Sequence, residues 1–453
     1  MEKSIKEKSV YVKEEAKTKM IRKISIAFVV SYFLMPQYVG IPVPGFDLTV
    51  NRMFLIILYA IILTEPCRTE EFKSMMRQYK YIVPVICFEI VLLYTGVLRA
   101  DIATIMNASI EFLFLFLLIY VIKNEIGVEK FLKIVCGCTY VLCILGIQEF
   151  ITGVNLFHKF QTLNAHIVQF VRSGSLRIMG PCGHALGYGL LLFILFTFCC
   201  IDIERNEINV LRRPILFLLI IINVFLTGSR STLALFVLQV FILFLFSPPK
   251  TKKITVIFLL VVLAGVVGMV VIAPGSGISR YIMMQVTSVI DTILGTNYAL
   301  AYGAESSRLN DSTVYRSALP KIFFLDYLNP ILGRGVSRRN GFVIDGMNII
   351  SIDNFYVVQY IKYAYTGLVS YLWFVISSLL DVVKAWHKRK KTIYIVVFIG
   401  LLIYYINLWW VDSLQTLRYA YALFAVVYVY MIEEGHINST KRKREASHSK
   451  YIK

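Results

Sequence analysis

Acidic side chains are scarce in this sequence. Its 453 residues hold 28 Asp and Glu against 47 Lys and Arg, with six His. The acids are scattered, and no Asp/Glu pair stands at metal-ligand spacing. No Ser or Cys is set beside a His by a recognisable nucleophile motif. The eight Cys (67, 87, 136, 138, 143, 182, 199, 200) fall mostly in apolar stretches with no accompanying His cluster, so they read as small hydrophobes. Internal repeats, low-complexity linkers and a separable soluble domain are also missing. These absences point away from a metal centre and from nucleophilic catalysis, and no metal or cofactor is expected.

Apolar surface is what the chain has in excess. Hydrophobic residues make up 57% of it, more than a soluble fold of this size can hide, so lipid is the expected solvent. About twelve stretches are nearly free of charge: 22–40, 50–64, 81–98, 103–122, 131–152, 183–201, 212–227, 229–247, 254–273, 353–380, 392–410 and 414–431. The second and seventh are short. The expected fold is an all-α polytopic membrane protein of about twelve transmembrane helices, forming one membrane domain. A basic leader (1–21) precedes the first span and a basic tail (432–453) follows the last. The leader lacks a small-residue cleavage pattern, so the first span reads as a retained helix.

With both termini cytoplasmic, the inner loops hold 32 of the 47 basic residues and the outer side 15. The inner set is 9 Arg and 23 Lys, whereas the outer set is 12 Arg and three Lys. Lysine alone would serve topology. A guanidinium preference on one face suggests bidentate recognition of phosphate or carboxylate. The net charge of +19 is spread over short loops, which is not the footprint of a nucleic-acid surface.

Two outer segments are long, 153–182 and 274–352. In the second, Ile282, Val286, Val289 and Ile293 recur at helical spacing, and so do Val314, Ala318, Leu319, Ile322 and Phe323. The segment NPILGRGVSRRNGF then reads as a glycine-punctuated turn. The loop 274–352 is expected to lie as a lid on the outer membrane surface. Arg177, His184, Arg230, Arg308, Arg316, Arg334, Arg338, Asp353 and Asn354 would gather on that face, a cationic site with few acids. A lipid-linked diphosphate fits such a site. Cleavage of its sugar–phosphate bond builds negative charge that fixed guanidiniums can stabilise. Arg230 admits two readings: a clamp on the diphosphate, or a snorkelling cation marking a turn.

Four stretches resemble the O-antigen ligase and Wzy-type polysaccharide polymerase superfamily. They are TGSRSTLALF (227–236), RIMGPCGHALGYG (177–189), YRSALPKIFFLDYLNPILGRGV (315–336) and DNFYVVQYIKYAYTGLVSYLWF (353–374). The resemblance covers roughly 170–380. It implies a metal-independent, inverting, GT-C-like glycosyltransferase acting on undecaprenyl-diphosphate-linked oligosaccharides at the outer face of the cytoplasmic membrane. Arg177, Arg230 and Arg316 would hold the diphosphate. Asp353 stands where the ligases place His, which favours a repeat-unit polymerase over a ligase that transfers finished glycan to a lipid or wall acceptor. A chain-length regulator and a flippase are the partners this implies. Asp353 is the general base for the acceptor hydroxyl, a group that only orients a sugar, or the partner of a loop Arg. His184 either acts directly or caps a turn, and Tyr356 either stacks on sugar or joins an interfacial aromatic belt. A flippase or transporter is the reading from another class, disfavoured by the absence of obvious midplane charge pairs, since Glu89, Glu111 and Glu149 look scattered.

Overall fold

The computed structural model describes residues 2–43, 46–164, 167, 171–172, 175–303, 314–337, 341–349 and 351–451. It is 74% helix, with a few short strands paired as two-stranded hairpins. Each charge-poor stretch contains a helix. In order they are α1 (Glu2–Leu34), α2 (Val50–Thr64), α3 (Pro66–Gln78), α4 (Ile82–Arg99), α5 (Ile102–Tyr120), α6 (Val128–Thr152) and α7 (Ala185–Cys200). There follow α8 (Pro214–Leu226), α9 (Arg230–Phe246), α10 (Pro249–Ile272), α11 (Gly277–Leu294), α12 (Phe355–Arg389), α13 (Thr392–Asn407) and α14 (Leu417–Tyr451). Their starts are encoded locally. Thr49, His184, Ser229, Ser276 and Asn354 each accept a backbone N–H at an N-cap, and proline opens α3, α8 and α10.

Among the described residues five helices are long and apolar enough to cross a membrane: α4, α5 with the turn after it, α6, α10 and α12. A sixth arises if α2 and α3, which meet at 107°, count as one span. Four of the other stretches hold shorter apolar helices, α7, α8, α9 and α13, of 16, 13, 17 and 16 residues. At 1.5 Å per residue such helices reach about 20–26 Å, short of a ~30 Å hydrocarbon layer unless their flanking turns are counted.

Burial separates helices of the same composition. α7 is apolar on all sides and buried on all sides, packed among α6, α8, α9, α13 and α14. α10 is equally apolar, yet only 6% of its apolar window is buried. It touches α9 and α11, and its Phe258 ring lies 5.9 Å from Phe217 of α8. An apolar surface of that length is not compatible with water, so lipid or another apolar phase must cover it.

α11 forms where helical periodicity places it, and the face it buries is largely polar. Ser279, Tyr281, Gln285, Thr287, Ser288 and Asp291 point inward, while Ile278, Val286 and Ile290 stay exposed. Beside an apolar solvent the stable orientation inverts, with polar groups toward the protein.

α12 is broken at Ala364 (φ 57°, ψ −167°), a backbone conformation otherwise kept almost wholly for glycine. The break frees carbonyl groups, and the loop at 330–335 satisfies them. Arg334 N–H donates to Ile361 O (2.8 Å), Gly335 N–H to Lys362 O (3.1 Å), and Tyr365 N–H to Pro330 O (3.1 Å). The glycine-punctuated turn is therefore a cap for a broken helix. Gly333 lies so close that a Cβ there would stand 2.1 Å from Lys362 O, a backbone atom that cannot swing aside. Gly333→Ala is expected to lower stability by about 2–4 kcal/mol, in the range of severe overpacking. The thermal midpoint of the purified protein in detergent reads the effect, and an unchanged midpoint would refute the cap. The rest of the described loop has its own apolar core: Ala318, Leu319, Ile322, Phe342 and Ile344 pack against Val357, Val358 and Ile361 of α12.

Candidate functional site

The turn between α8 and α9 is the first corner of the site. Gly228 takes φ +62°, and a Cβ on it would lie 3.1 Å from Cγ of Arg177. Arg177 lies along that turn, its Nε donating to Thr227 O (2.8 Å), while Ile178 N–H donates to Leu226 O (3.2 Å). Arg230 opens α9 three residues beyond Thr227, directly after the Ser229 cap. Arg177 and Arg230 are thus brought to one corner from positions 53 residues apart in the chain. His184 lies within electrostatic range of Arg177. Its Nδ1 accepts Leu186 N–H (3.0 Å), so that nitrogen carries no proton, and His184 caps α7.

The inward face of α11 covers this corner. Tyr281 donates its hydroxyl to Phe225 O (3.1 Å) and lies within electrostatic range of Arg177. Asp291 does the same for Arg230. Burial alone would raise the Asp291 carboxyl. Hydrogen bonds from the Thr296 hydroxyl (2.6 Å), Tyr298 N–H (2.8 Å) and Ala299 N–H (2.8 Å), with Arg230 nearby, outweigh it and hold the group below the usual carboxylate range. Arg230 has no acid near it along the chain, but it has one in space.

A second corner forms at the start of α12. Arg316 Nη2 approaches Asp353 Oδ2 at 4.0 Å, and Ser351 donates its hydroxyl to Asp353 Oδ1 (3.0 Å). Both members of the ion pair are about one-third exposed (35% and 36%), so the pair adds little stability of its own. Asn354 is buried and caps α12 through Val357 N–H (3.1 Å). Tyr356 donates to Tyr405 O (2.7 Å) and packs beside Trp409. The two corners share the turn between α13 and α14. Phe355 N–H donates to Leu408 O (3.0 Å), and Leu414 lies against Gly187, three residues past His184. Arg334 stands apart from both, near the C-terminal end of α4. Arg308 and Arg338 lie outside the described residues.

Several participants escaped the sequence reading. Glu149 of α6 is 1% exposed, and its carboxylate accepts Met179 N–H (3.1 and 3.2 Å) and Gly180 N–H (3.0 Å). With Asn155, which donates to Gly180 O (2.9 Å), it pins the segment that carries Arg177. Glu111 is not scattered either. It faces Arg418 and Arg52 electrostatically, and Arg418 is 3% exposed with its guanidinium 4.5 Å from the Tyr419 ring centroid and 5.7 Å from that of Tyr32. Glu111 and Arg418 are 307 positions apart, and no local pattern joins them.

Among the described residues no three His, Cys, Asp or Glu side chains gather as a metal site. Comparison with known proteins finds no matching family model and no matching curated protein.

Proposed function

We propose that this chain is a membrane glycosyltransferase that joins undecaprenyl-diphosphate-linked oligosaccharide repeat units into a capsular, exopolysaccharide or O-antigen-type polymer. In this reading twelve helices span the cytoplasmic membrane with both termini inside, and loop 274–352 lies on the outer face. The convergence of Arg177 and Arg230 beneath the polar side of α11, next to the lipid-exposed α10, carries the proposal. A polyprenyl diphosphate has the matching polarity, an anionic head at a membrane edge and a tail in lipid.

The chemistry is a metal-independent inverting displacement. The acceptor hydroxyl oxygen attacks the anomeric carbon, its proton passes to Asp353, and the bond from that carbon to the diphosphate oxygen breaks. The leaving diphosphate takes the electron pair, and Arg177, Arg230 and Arg316 stabilise its charge. Ser351 and Arg316 orient the Asp353 carboxylate. His184 and Asn354 shape the site as helix caps, and Tyr356 supports the start of α12.

Conditional depletion tests the proposal through the cell's lipid-linked glycans. Single repeat units on lipid should accumulate and long polymer should disappear. Persistence of long polymer with only its attachment lost would replace the polymerase by the ligase reading. The buried Arg418, within electrostatic range of Glu111, is the observation that favours a flippase or transporter instead, since intramembrane charges mark transport pathways. In that case depletion would trap lipid-linked units on the inner leaflet.

A further inference from the structure

A cleft of about 70 Å³ lies between the end of α4 and the break in α12, lined by Arg99, Arg334, Tyr327, Tyr360, Asn329 and Leu332. Its two cations are held in place. Arg99 Nε donates to Gly333 O (2.8 Å), and the Arg334 guanidinium lies 4.7 Å from the Phe342 ring centroid and 5.5 Å from that of Tyr327. Among the described residues neither has a carboxylate partner. The adjacent acid, Asp101, is committed elsewhere: it accepts the Thr104 hydroxyl (2.8 Å) and Ser337 N–H (3.0 Å). Arg316, Arg230 and Lys321, by contrast, each have an acid nearby. Two fixed guanidiniums at one opening, with donors turned to no acid, are a receptor for a planar or tetrahedral oxyanion.

The cleft walls add a second property. Tyr327 is 60% exposed and Tyr360 is buried, so an aromatic face stands beside the cations. Tyr360 lies five residues along α12 from its first residue Phe355, about 8 Å at helical rise, and Asp353 stands two residues before that start. The helix that begins at the reacting corner thus also forms the wall of the cleft.

We propose that the Arg99–Arg334 cleft binds a carboxylate or phosphate carried on a saccharide, at a distance of a few sugar rings from the bond being made. The proposal rests on the glycan-handling reading above. It adds that the glycan itself is anionic and is recognised apart from the lipid diphosphate. Arg99 and Arg334 supply the bidentate donors, and Tyr327 supplies the ring face.

The full chain in nanodiscs of neutral lipid tests this by calorimetric titration. The probes are a uronic-acid disaccharide, glucose 1-phosphate, a neutral disaccharide and inorganic phosphate. One or both anionic sugars should bind, and Arg99→Gln and Arg334→Gln should each weaken that binding by about ten-fold or more. Arg99→Lys keeps the charge and loses the fork, and should weaken it too. Tyr327→Ala, at an exposed position, guards against misfolding of the arginine variants and should reduce sugar affinity more than phosphate affinity. Equal binding by wild type and the arginine variants would overturn the proposal. So would neutral sugar binding as well as anionic, inorganic phosphate binding as tightly as the sugars, or complete competition by nanodiscs containing phosphatidylglycerol. The depletion experiment is independent of all these arms, so failure of the cleft and failure of the polymerase reading are separately visible.

Discussion

Arg230→Lys is expected to leave the protein folded and inserted while reducing polymer formation about 100-fold, the usual cost of one lost donor to a developing oxyanion. The substitution separates two uses of a cation. Lysine keeps the positive charge, so it satisfies membrane topology and remains attracted to Asp291. It also preserves the Ser229 cap, which depends on the Ser229 hydroxyl and Thr232 N–H. What it loses is the planar fork that can span two phosphate oxygens. Arg230 begins α9 at the corner where the Arg177 Nε is fixed by Thr227 O, so its backbone is set by a helix start rather than by a loop. Repeat-unit transfer measured in membranes, with protein level normalised, reads the outcome. Wild-type turnover in Arg230→Lys would reduce Arg230 to a charge marking the α8–α9 turn and remove the clamp from the proposed mechanism.

The positions of the helices were legible because apolar runs and their caps are local features. Ser229, Ser276 and Asn354 each announce the helix they start. Orientation was less legible. The periodicity of α11 shows a two-faced helix, but which face turns inward depends on the surrounding solvent, and apolar surroundings reverse the rule learned from water. Capping of the α12 break was hidden for a different reason. Nothing in the residues around Ala364 marks a break, and the partners of its freed carbonyls lie about 30 residues earlier. Of the candidate site, the pairing of Arg316 with Asp353 and the approach of Arg177 to the Arg230 turn joined residues already singled out. Glu149, Asp291 and Arg418 were missed because an isolated charge in an apolar run shows its partner only once the chain has folded back on it.

Glu149 offers the sharpest test of that last point. It and Glu89 look alike in sequence, single acids within apolar helices, yet their surroundings rank them differently. Glu89 accepts one hydroxyl, from Ser109 (2.5 Å), so its removal orphans a group that can rotate to another partner. Glu149 accepts two backbone N–H groups from a buried turn, and neither can move without moving residues 179 and 180. Glu149→Ala leaves both donors unsatisfied, at about 1–3 kcal/mol each. The Arg177 segment then keeps its bonds to Asn155 and to the Leu226 and Thr227 carbonyls but loses its buried carboxylate anchor. The expected result is a loss of about 2–6 kcal/mol in stability together with loss of polymer, against a change near 1 kcal/mol for Glu89→Ala. Glu149→Gln, which keeps an acceptor oxygen, should fall between them and recover part of the activity. If Glu149→Ala and Glu89→Ala unfold at the same temperature and make the same polymer, the carboxylate does not hold Arg177 in place, and that corner must be organised by the α8–α9 turn itself.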